Sequence, residues 1–374
     1  MPAFFATTPR GLEKVLQSEL RALGIEKTTV GIAGVSFFSN WADCYKANLE
    51  LVSASRVLYP VLDFPAYEPD QIYHSVLKHD WTKYIDPKQT IAVDSSVRDS
   101  IIKDLRICAL KTKDAVVDQF REKFGIRPDV NTENPDMQIS VRLVKNKCTV
   151  SLDTSGGSLH LRGYRDRGAP APLKENLAAA LIKMTGWDQN SPLIDPMCGS
   201  GTFCIEAALM ALKIPPGSFR KKFGFQRWKT FQPEPYKIIV EDINQRQLSD
   251  VPFRIYGYDV EGRAVAASKA HSENAGTQIA TLFRKQDILE LVPAPSPGII
   301  ITNPPYGERM GDSTQLVALY SKLGTVLKSK FRGWQAYVLA SDSELINAIG
   351  ITPEKSWRVF NGAIECQFVK FGNI

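Results

Sequence analysis

The segment 299–306 joins a buried-looking apolar run to side chains that could hold and cover a reactive group. It reads Ile-Ile-Ile-Thr-Asn-Pro-Pro-Tyr. Because proline disfavours both helix and continued strand pairing, the pattern predicts a strand that ends in a rigid turn. Ligands of open α/β sheets bind at the carboxyl ends of strands, so reactive residues are expected here. The Asn303 side-chain carbonyl and the Pro304 backbone carbonyl are neutral acceptors suited to an NH2 group, and the Tyr306 ring can stack on a base.

A second stretch with chemical potential lies upstream, at residues 191–202. Its sequence, Ser-Pro-Leu-Ile-Asp-Pro-Met-Cys-Gly-Ser-Gly-Thr, predicts a strand, a glycine-bearing loop and the start of a helix. Glycines let the backbone approach a ligand closely, and free N–H groups at a helix amino terminus can bind it. The loop lacks the third glycine of a dinucleotide-binding fingerprint. The stretch therefore predicts a ligand-binding loop that differs from a dinucleotide-binding loop.

Two further carboxylates follow predicted strands. Asp259 ends the run Arg-Ile-Tyr-Gly-Tyr and precedes a predicted helix, and Asp287 follows Leu-Phe-Arg-Lys-Gln. An acid at the end of the second strand is placed to accept both ribose hydroxyls of a nucleoside. A structural role as a helix N-cap is the alternative for Asp259.

Length and composition limit the class of protein to which these residues can belong. With 374 residues, 44% hydrophobic and 23% charged, the chain has the composition of a soluble protein with two or three domains. It contains neither an apolar stretch long enough to span a membrane nor a secretion signal, so a cytoplasmic protein with no membrane role is expected. Six scattered cysteines and four histidines lack metal-ligand spacing, which predicts reduced thiols and no metal. The net charge of +6 is compatible with a nucleic-acid partner but does not require one.

The elements themselves fall into two halves. The first half alternates short strands and helices and includes a long predicted helix over 100–124, whose polar side carries Lys111 and Lys113. A basic and aromatic stretch, 159–168, precedes the second half and contains Arg165 and Arg167. These four cations are candidate phosphate contacts, although a basic helix face can also be an ordinary solvated surface.

The motifs of the second half resemble those of the amino-methyltransferases, which move a methyl group from S-adenosylmethionine (SAM) to the amino group of a base or to a glutamine amide. The glycine loop resembles motif I of class I methyltransferases, and Asn-Pro-Pro-Tyr resembles the catalytic signature. The resemblance implies that Gly199 and Gly201 cradle the methionine part of SAM, that Asp195 holds its amino group directly or through water, and that Asp287 accepts from the adenine amino group. The implied catalytic residues are Asn303, Pro304 and Tyr306, and the implied cofactor-binding residues are Asp195, Cys198, Gly199, Gly201, Thr202, Asp259, Asp287 and Asn303.

The first half resembles the ferredoxin-like segment and THUMP domain of RNA-modifying enzymes, which bind structured RNA. The carriers of this resemblance are Phe-Ala-Thr-Thr-Pro-Arg-Gly-Leu-Glu near the start and Ser-Gly-Gly-Ser-Leu-His-Leu-Arg-Gly-Tyr-Arg at 155–165. The expected fold is therefore α/β: an α+β ferredoxin-like and THUMP region followed by a class I, Rossmann-like methyltransferase domain. The expected divisions are a ferredoxin-like segment 1–43, a THUMP domain 44–155, a linker 156–172 and the methyltransferase domain 173–374.

All motifs together resemble the large-subunit rRNA guanine-N2 methyltransferases, in some of which a second methyltransferase domain is fused. The sequence ends at Ile374, so only the N2 activity is implied, with 23S rRNA or a ribosome-assembly intermediate as partner. A tRNA guanine-N2 methyltransferase, a DNA adenine methyltransferase and a catalytically silent RNA-binding protein are the alternatives. The stretch 213–251 interrupts the alternation, and its cations and aromatic residues suit either base stacking or packing on the fold.

Overall fold

Two mixed sheets, one in each half of the chain, organise the protein. The computed structural model describes residues 1–165, 173–294, 296–306, 313–372 and 374. In the described residues, eight strands form the first sheet and seven form the second. Arg167 lies outside the described residues. Within them, no helix combines the length and the apolar character needed to cross a bilayer.

The first sheet unites the ferredoxin-like and THUMP units, because strand β4 (Arg56–Pro65) pairs with β1 (Ala3–Thr7) on one side and with β8 (Lys147–Asp153) on the other. The strands β7 (Met137–Val144) and β8 form a hairpin at Lys145–Asn146, and both turn residues have positive φ, 50° and 61°. Its strands are β1 (Ala3–Thr7), β2 (Thr28–Gly31), β3 (Gly34–Phe38), β4 (Arg56–Pro65), β5 (Thr90–Arg98), β6 (Asp129–Val130), β7 (Met137–Val144) and β8 (Lys147–Asp153). Its helices are α1 (Glu13–Ala22), α2 (Trp41–Glu50), α3 (Pro69–Leu77) and α4 (Leu105–Phe124).

The second sheet is the Rossmann-like core, with strand order β11-β10-β9-β12-β13-β15-β14. The strands β9 to β13 run parallel, and a terminal hairpin completes the sheet: β15 pairs antiparallel with β13, and β14 pairs antiparallel with β15 at the edge. The strands are β9 (Leu193–Asp195), β10 (Ile255–Asp259), β11 (Thr281–Lys285), β12 (Ile299–Thr302), β13 (Gln335–Ala340), β14 (Lys355–Asn361) and β15 (Ile364–Phe371). The helices are α5 (Glu175–Thr185), α6 (Thr202–Ala211), α7 (Pro233–Arg246), α8 (Gly262–Asn274), α9 (Ser313–Lys330) and α10 (Ser343–Ala348).

The strand order explains why the motifs meet. The central strand β9 lies between β10 and β12, so the residues that follow these three strands come together at one edge of the sheet. Asp195 and Asp259 end β9 and β10, and Asn303 follows β12 directly. The α/β methyltransferase fold expected from the motifs is thereby confirmed.

The stretch 213–251 packs on the amino-terminal half. Phe223, Phe225 and Trp228 are buried in the hydrophobic cluster of the first sheet. The ring of Phe225 lies 4.5 Å from that of Tyr45 on α2, centroid to centroid. Of the two interpretations open from the sequence, packing is therefore the one that the structure supports for these rings.

The halves also interlock in the other direction. Leu12 is fully buried in the hydrophobic cluster of the methyltransferase domain. The boundary expected at 43/44 falls inside α2, and the described part of the expected linker, 156–165, buries Leu159, Arg162 and Tyr164. This stretch is a packed connection between the two sheets.

Candidate active site

A cleft of about 1220 Å³ opens at the carboxyl edge of the second sheet. It is bounded by the motif I loop, the ends of β10 and β11, the Asn-Pro-Pro-Tyr turn, helix α9 and the tip of the β14–β15 hairpin. Six of the expected site residues line it together: Gly199, Asp259, Asp287, Asn303, Pro304 and Tyr306.

The two glycines of the motif I loop, Gly199 and Gly201, have different structural roles. Both have positive φ, 53° at Gly199 and 83° at Gly201. A Cβ on Gly201 would lie 2.8 Å from the Ser268 Cβ and 3.1 Å from the Phe283 ring, so this glycine allows the loop to pack on α8 and β11. A Cβ on Gly199 would meet nothing within 4 Å. Gly199 therefore presents bare backbone to the open cleft, as a cradle for a ligand requires.

Asp259 anchors this loop to the end of β10. Its Oδ2 accepts from the Gly199 N–H at 2.8 Å, and its Oδ1 accepts from the Glu261 N–H at 2.9 Å. The N-cap of α8 is Glu261, so Asp259 is not the cap itself. Each carboxylate oxygen can accept a further hydrogen bond, which leaves room for hydroxyl donors from the cleft.

Asp195 lies behind the loop, with 2% of its surface exposed. Its Oδ1 accepts from the Met197 N–H at 3.2 Å. Burial raises the pKa of this carboxyl to about 7, and the nearby Asp259 carboxylate adds to the rise. Near neutral pH this group can therefore exchange its proton when a cation approaches.

The turn after β12 contains a buried hydrogen-bond acceptor. Among the described residues, the buried Asn303 Oδ1 has no hydrogen-bond partner. An unsatisfied buried acceptor costs about 1–3 kcal/mol, which a bound N–H group would recover. The ring of Tyr306 is half-buried beside it, and its Oη accepts from Asn361 Nδ2 at 3.2 Å.

A buried polar cluster supports the loop from below. Arg162 and Tyr164 both reach the Glu206 carboxylate, at 3.3 Å and 3.1 Å. Arg165 donates to the Thr202 hydroxyl and to the Leu173 carbonyl, and its Nε lies 3.4 Å from Glu175.

This arrangement corrects the expectation that Arg165 contacts RNA, because its guanidinium is turned into the protein. Thr202 and Cys198 also face inward: the Thr202 hydroxyl is bound by Arg165, and the Cys198 thiol lies next to Gly257 under the loop. Burial raises the pKa of the Cys198 thiol well above its ordinary value. With Gly201, these residues shape the loop, whereas Gly199 faces the cleft.

The other expected RNA contacts lie on α4. Lys111 pairs with Asp70 at 2.6 Å, and Lys113 pairs with Asp114 at 2.8 Å. Lys103 and Arg106, near the start of the same helix, are exposed, and within the described ranges neither forms an ion pair.

Several cleft residues were not predicted from the sequence. Lys174 lies in the Ala-Pro-Leu-Lys-Glu segment, which was available as a motif signal. Val260 is 57% exposed and forms an apolar wall of the cleft next to Asp259. The sequence pattern at this strand end pointed to the carboxylate of Asp259 and not to its apolar neighbour. Lys322 of α9 and Asn361 of the hairpin also line the cleft, and no local signal distinguished them.

Comparison with known proteins finds family matches in both halves of the chain. The methyltransferase family described as "RMKL-like, methyltransferase domain" matches residues 162–370. A THUMP domain matches 66–153, and the RlmL ferredoxin-like domain matches 3–58. The chain belongs to the RMKL-like methyltransferase family.

Individual relatives of this RMKL-like methyltransferase are also named as methyltransferases. A ribosomal RNA large subunit methyltransferase K/L of Syntrophotalea carbinolica is 41% identical over 98% of this chain, which spans only 53% of that protein. A candidate RNA methyltransferase of Synechocystis is 36% identical over 98% of this chain and 96% of its own length. The crystal structure of SMU.472, a candidate methyltransferase complexed with SAH, superposes with a TM-score of 0.91 at 29% identity, covering 100% of this chain and 98% of that one.

Proposed function

We propose that this protein transfers a methyl group from SAM to the exocyclic N2 of a guanine in 23S rRNA. The observation that carries the proposal is the buried Asn303 Oδ1, which has no hydrogen-bond partner among the described residues and lies in the cleft that Asp259 also lines. A neutral acceptor at that place suits an NH2 group better than a hydroxyl or a carboxylate target, because an NH2 group offers two donors.

The cleft fits SAM on features of the chain itself. Gly199 presents open backbone, Asp259 retains acceptor capacity toward the ribose hydroxyls, and Asp287 is an exposed acceptor on the same wall. The side chains of Val260 and Ile288 line the cleft and provide apolar surfaces for a purine ring. When bound, SAM supplies a strongly electrophilic sulfonium methyl group.

The residues of the turn orient the nucleophile. Guanine N2 is a poor nucleophile because its lone pair is delocalised into the ring, so orientation is the main requirement. Asn303 Oδ1 and the Pro304 carbonyl accept the two N–H bonds and direct the nitrogen lone pair toward the methyl donor. Both acceptors are held before reaction, so they stabilise the positive charge that develops on nitrogen without reorganising, and the surplus proton on N2 is then lost to water.

Tyr306 covers the base. A guanine in a folded RNA must leave its stack to enter the cleft, and an aromatic face recovers part of the lost stacking energy. The ring is half-buried and is held at its hydroxyl by Asn361, so it offers a fixed surface.

The amino-terminal half supplies the affinity for structured RNA in this proposal. Its THUMP domain and the named rRNA methyltransferase relatives support rRNA, free or in a ribosome-assembly intermediate, as the partner. The exposed Lys103, just before α4, and Arg106, in its first turn, are placed to reach phosphates, with Lys111 and Lys113 further along the helix. A cytoplasmic location belongs to the same proposal.

The test is methylation of defined RNAs with methyl-labelled SAM. Protein-free 23S rRNA, precursor large subunits and total tRNA are incubated separately, and the RNA is digested to nucleosides for mass spectrometry. We expect N2-methylguanosine from the 23S rRNA or the precursor particles, and less by about 100-fold or more from the Asn303→Ala variant. Label in methyladenosine, or in tRNA alone, would contradict the proposal.

A further inference from the structure

The tyrosine proposed to cover the target base is held by the terminal hairpin. Asn361 is the last residue of β14, and its Nδ2 donates to the Tyr306 Oη at 3.2 Å. Asn361 pairs with Ile364 across a turn in which Gly362 has a φ of 67°. Asn361, Gly362 and Ile364 all line the cleft. The hairpin tip is therefore both a wall of the cleft and the anchor of the ring.

The hairpin in turn rests on the amino-terminal half. Gly11 has a φ of 90°, and a Cβ there would lie 2.4 Å from the Arg358 carbonyl oxygen of β14 and 3.4 Å from the Val359 Cα. The next residue, Leu12, is fully buried in the same hydrophobic cluster as Val359 and Cys366, and Tyr306 packs against that cluster. The backbone at Gly11 therefore packs directly on the backbone of β14, and no side chain of residue 11 separates the two segments.

We propose that the segment 9–12 and the β14–β15 hairpin act together as a positioning unit for Tyr306. The inference rests on the proposed function, because it assigns Asn361 and Gly11 to the pocket for the target base. A side chain that must present a fixed face works only when packing and hydrogen bonds hold its rotamer. Here Asn361 holds the hydroxyl end of the tyrosine. Gly11 allows the amino-terminal segment to pack closely on β14, and this packing fixes the position of the strand that carries Asn361. The half of the chain that resembles RNA-binding domains would thereby also shape the catalytic pocket.

A double-mutant cycle between Asn361→Ala and Tyr306→Phe tests the first link. If Asn361 acts through the tyrosine hydroxyl, each single change lowers kcat/KM for RNA about 3- to 10-fold, the worth of one hydrogen bond, and the double change costs no more than one single change. The Kd for SAM stays within about twofold in all three variants. If the losses multiply, Asn361 serves only the stability of the hairpin and the inference is overturned.

Gly11→Ala and Gly24→Ala form a matched pair for the second link. Both glycines flank α1 and have similar φ, 90° and 84°, so alanine imposes a similar backbone strain at each. Of the two, Gly11 lies against strand β14, whereas a Cβ on Gly24 would meet nothing within 4 Å. We expect Gly11→Ala to lower kcat/KM for RNA at least about threefold, and Gly24→Ala to change it less than about twofold.

The two variants are also combined with Asn361→Ala, in which the anchor of the ring is already lost. Gly11→Ala should then add less than about twofold. Equal losses in Gly11→Ala and Gly24→Ala, or a full loss from Gly11→Ala in the Asn361→Ala background, would overturn the inference. Methylation of guanine by the unmodified protein tests the proposed function by itself, so the two can fail separately.

Discussion

Replacing Asp259 by alanine should nearly abolish SAM binding. In the structure, the Asp259 carboxylate accepts the Gly199 and Glu261 N–H groups at 2.8 Å and 2.9 Å, and the proposal adds two ribose hydroxyls as donors. A hydrogen bond to a charged group contributes about 1.5–3 kcal/mol. Losing two such bonds to the ribose amounts to about 3–6 kcal/mol, or a rise in Kd of roughly 100- to 10,000-fold.

Two comparisons separate contact with the ribose from support of the loop. Asp259→Asn keeps one oxygen but turns an NH2 group toward a backbone N–H donor, so it should fall between the wild type and Asp259→Ala. Asp287 is exposed and holds a single backbone N–H, that of Leu289 at 2.8 Å. Asp287→Ala should therefore raise the Kd by only about tenfold, the worth of one bond.

Calorimetric titration with SAH and with a 2′-deoxyribose analogue of SAH measures the contact directly. The wild type should lose affinity for the analogue, whereas Asp259→Ala should bind both ligands equally weakly, because the acceptor of the missing hydroxyl is gone. A thermal melt confirms that each variant is folded. A folded Asp259→Ala variant that binds SAH within about tenfold of the wild type would refute the reasoning and leave Asp259 as a loop anchor only.

Three further predictions concern other parts of the site. Asn303→Ala should leave the Kd for SAM nearly unchanged and lower single-turnover methylation about 100-fold or more, because the acceptor is used mainly during reaction; turnover within a fewfold of the wild type would contradict its role. The Asp195 carboxyl, whose pKa burial raises to about 7, should release a proton when the cationic amino group of SAM binds near it, directly or through water. The affinity should therefore rise as the pH increases toward 7 and level off above it, and calorimetry in buffers of different ionisation enthalpy should detect the proton in the wild type but not in Asp195→Asn. Replacing Lys111 and Lys113 together by glutamate should weaken RNA binding most at low salt without changing the Kd for SAM. Loss of each lysine that contacts phosphate should flatten the slope of log affinity against log salt by about one unit, and an unchanged slope would remove both from the RNA surface.

The cleft could be predicted from the sequence because its chemistry follows strand ends. A polar residue directly after an apolar run lies at the carboxyl end of a strand, and parallel strands bring those ends to one edge. Asp195, Asp259 and Asn303 each satisfy this local rule, so their order along the chain was enough to place them together. The terminal hairpin was equally local, since Asn-Gly between apolar runs favours a tight turn.

The environment of the cations and aromatic rings could not be predicted in the same way. Phe225 and Trp228 look like a stacking surface in sequence, but they pack on α2, some 180 residues earlier in the chain. Arg165 stands among other basic residues, yet Glu175 and the Thr202 hydroxyl bind its guanidinium in the interior. Whether an aromatic or a cationic side chain faces solvent depends on what the rest of the chain places against it, and no local period encodes that.

The same long-range packing alters how the roles of the two halves can be separated. If the amino-terminal half only positioned RNA and the carboxyl-terminal half only did chemistry, residues 165–374 alone would bind SAM and methylate RNA poorly. In the structure, that fragment lacks Arg162 and Tyr164, which bind the Glu206 carboxylate, a group with only 2% of its surface exposed. Removing the partners of a buried charge costs about 3–5 kcal/mol. The fragment also lacks Leu12, which fills the cluster behind the hairpin. Poor methylation by the fragment would therefore report damage to the catalytic domain as much as loss of RNA binding, whereas changes confined to exposed cations of α4 in the full chain leave both clusters intact.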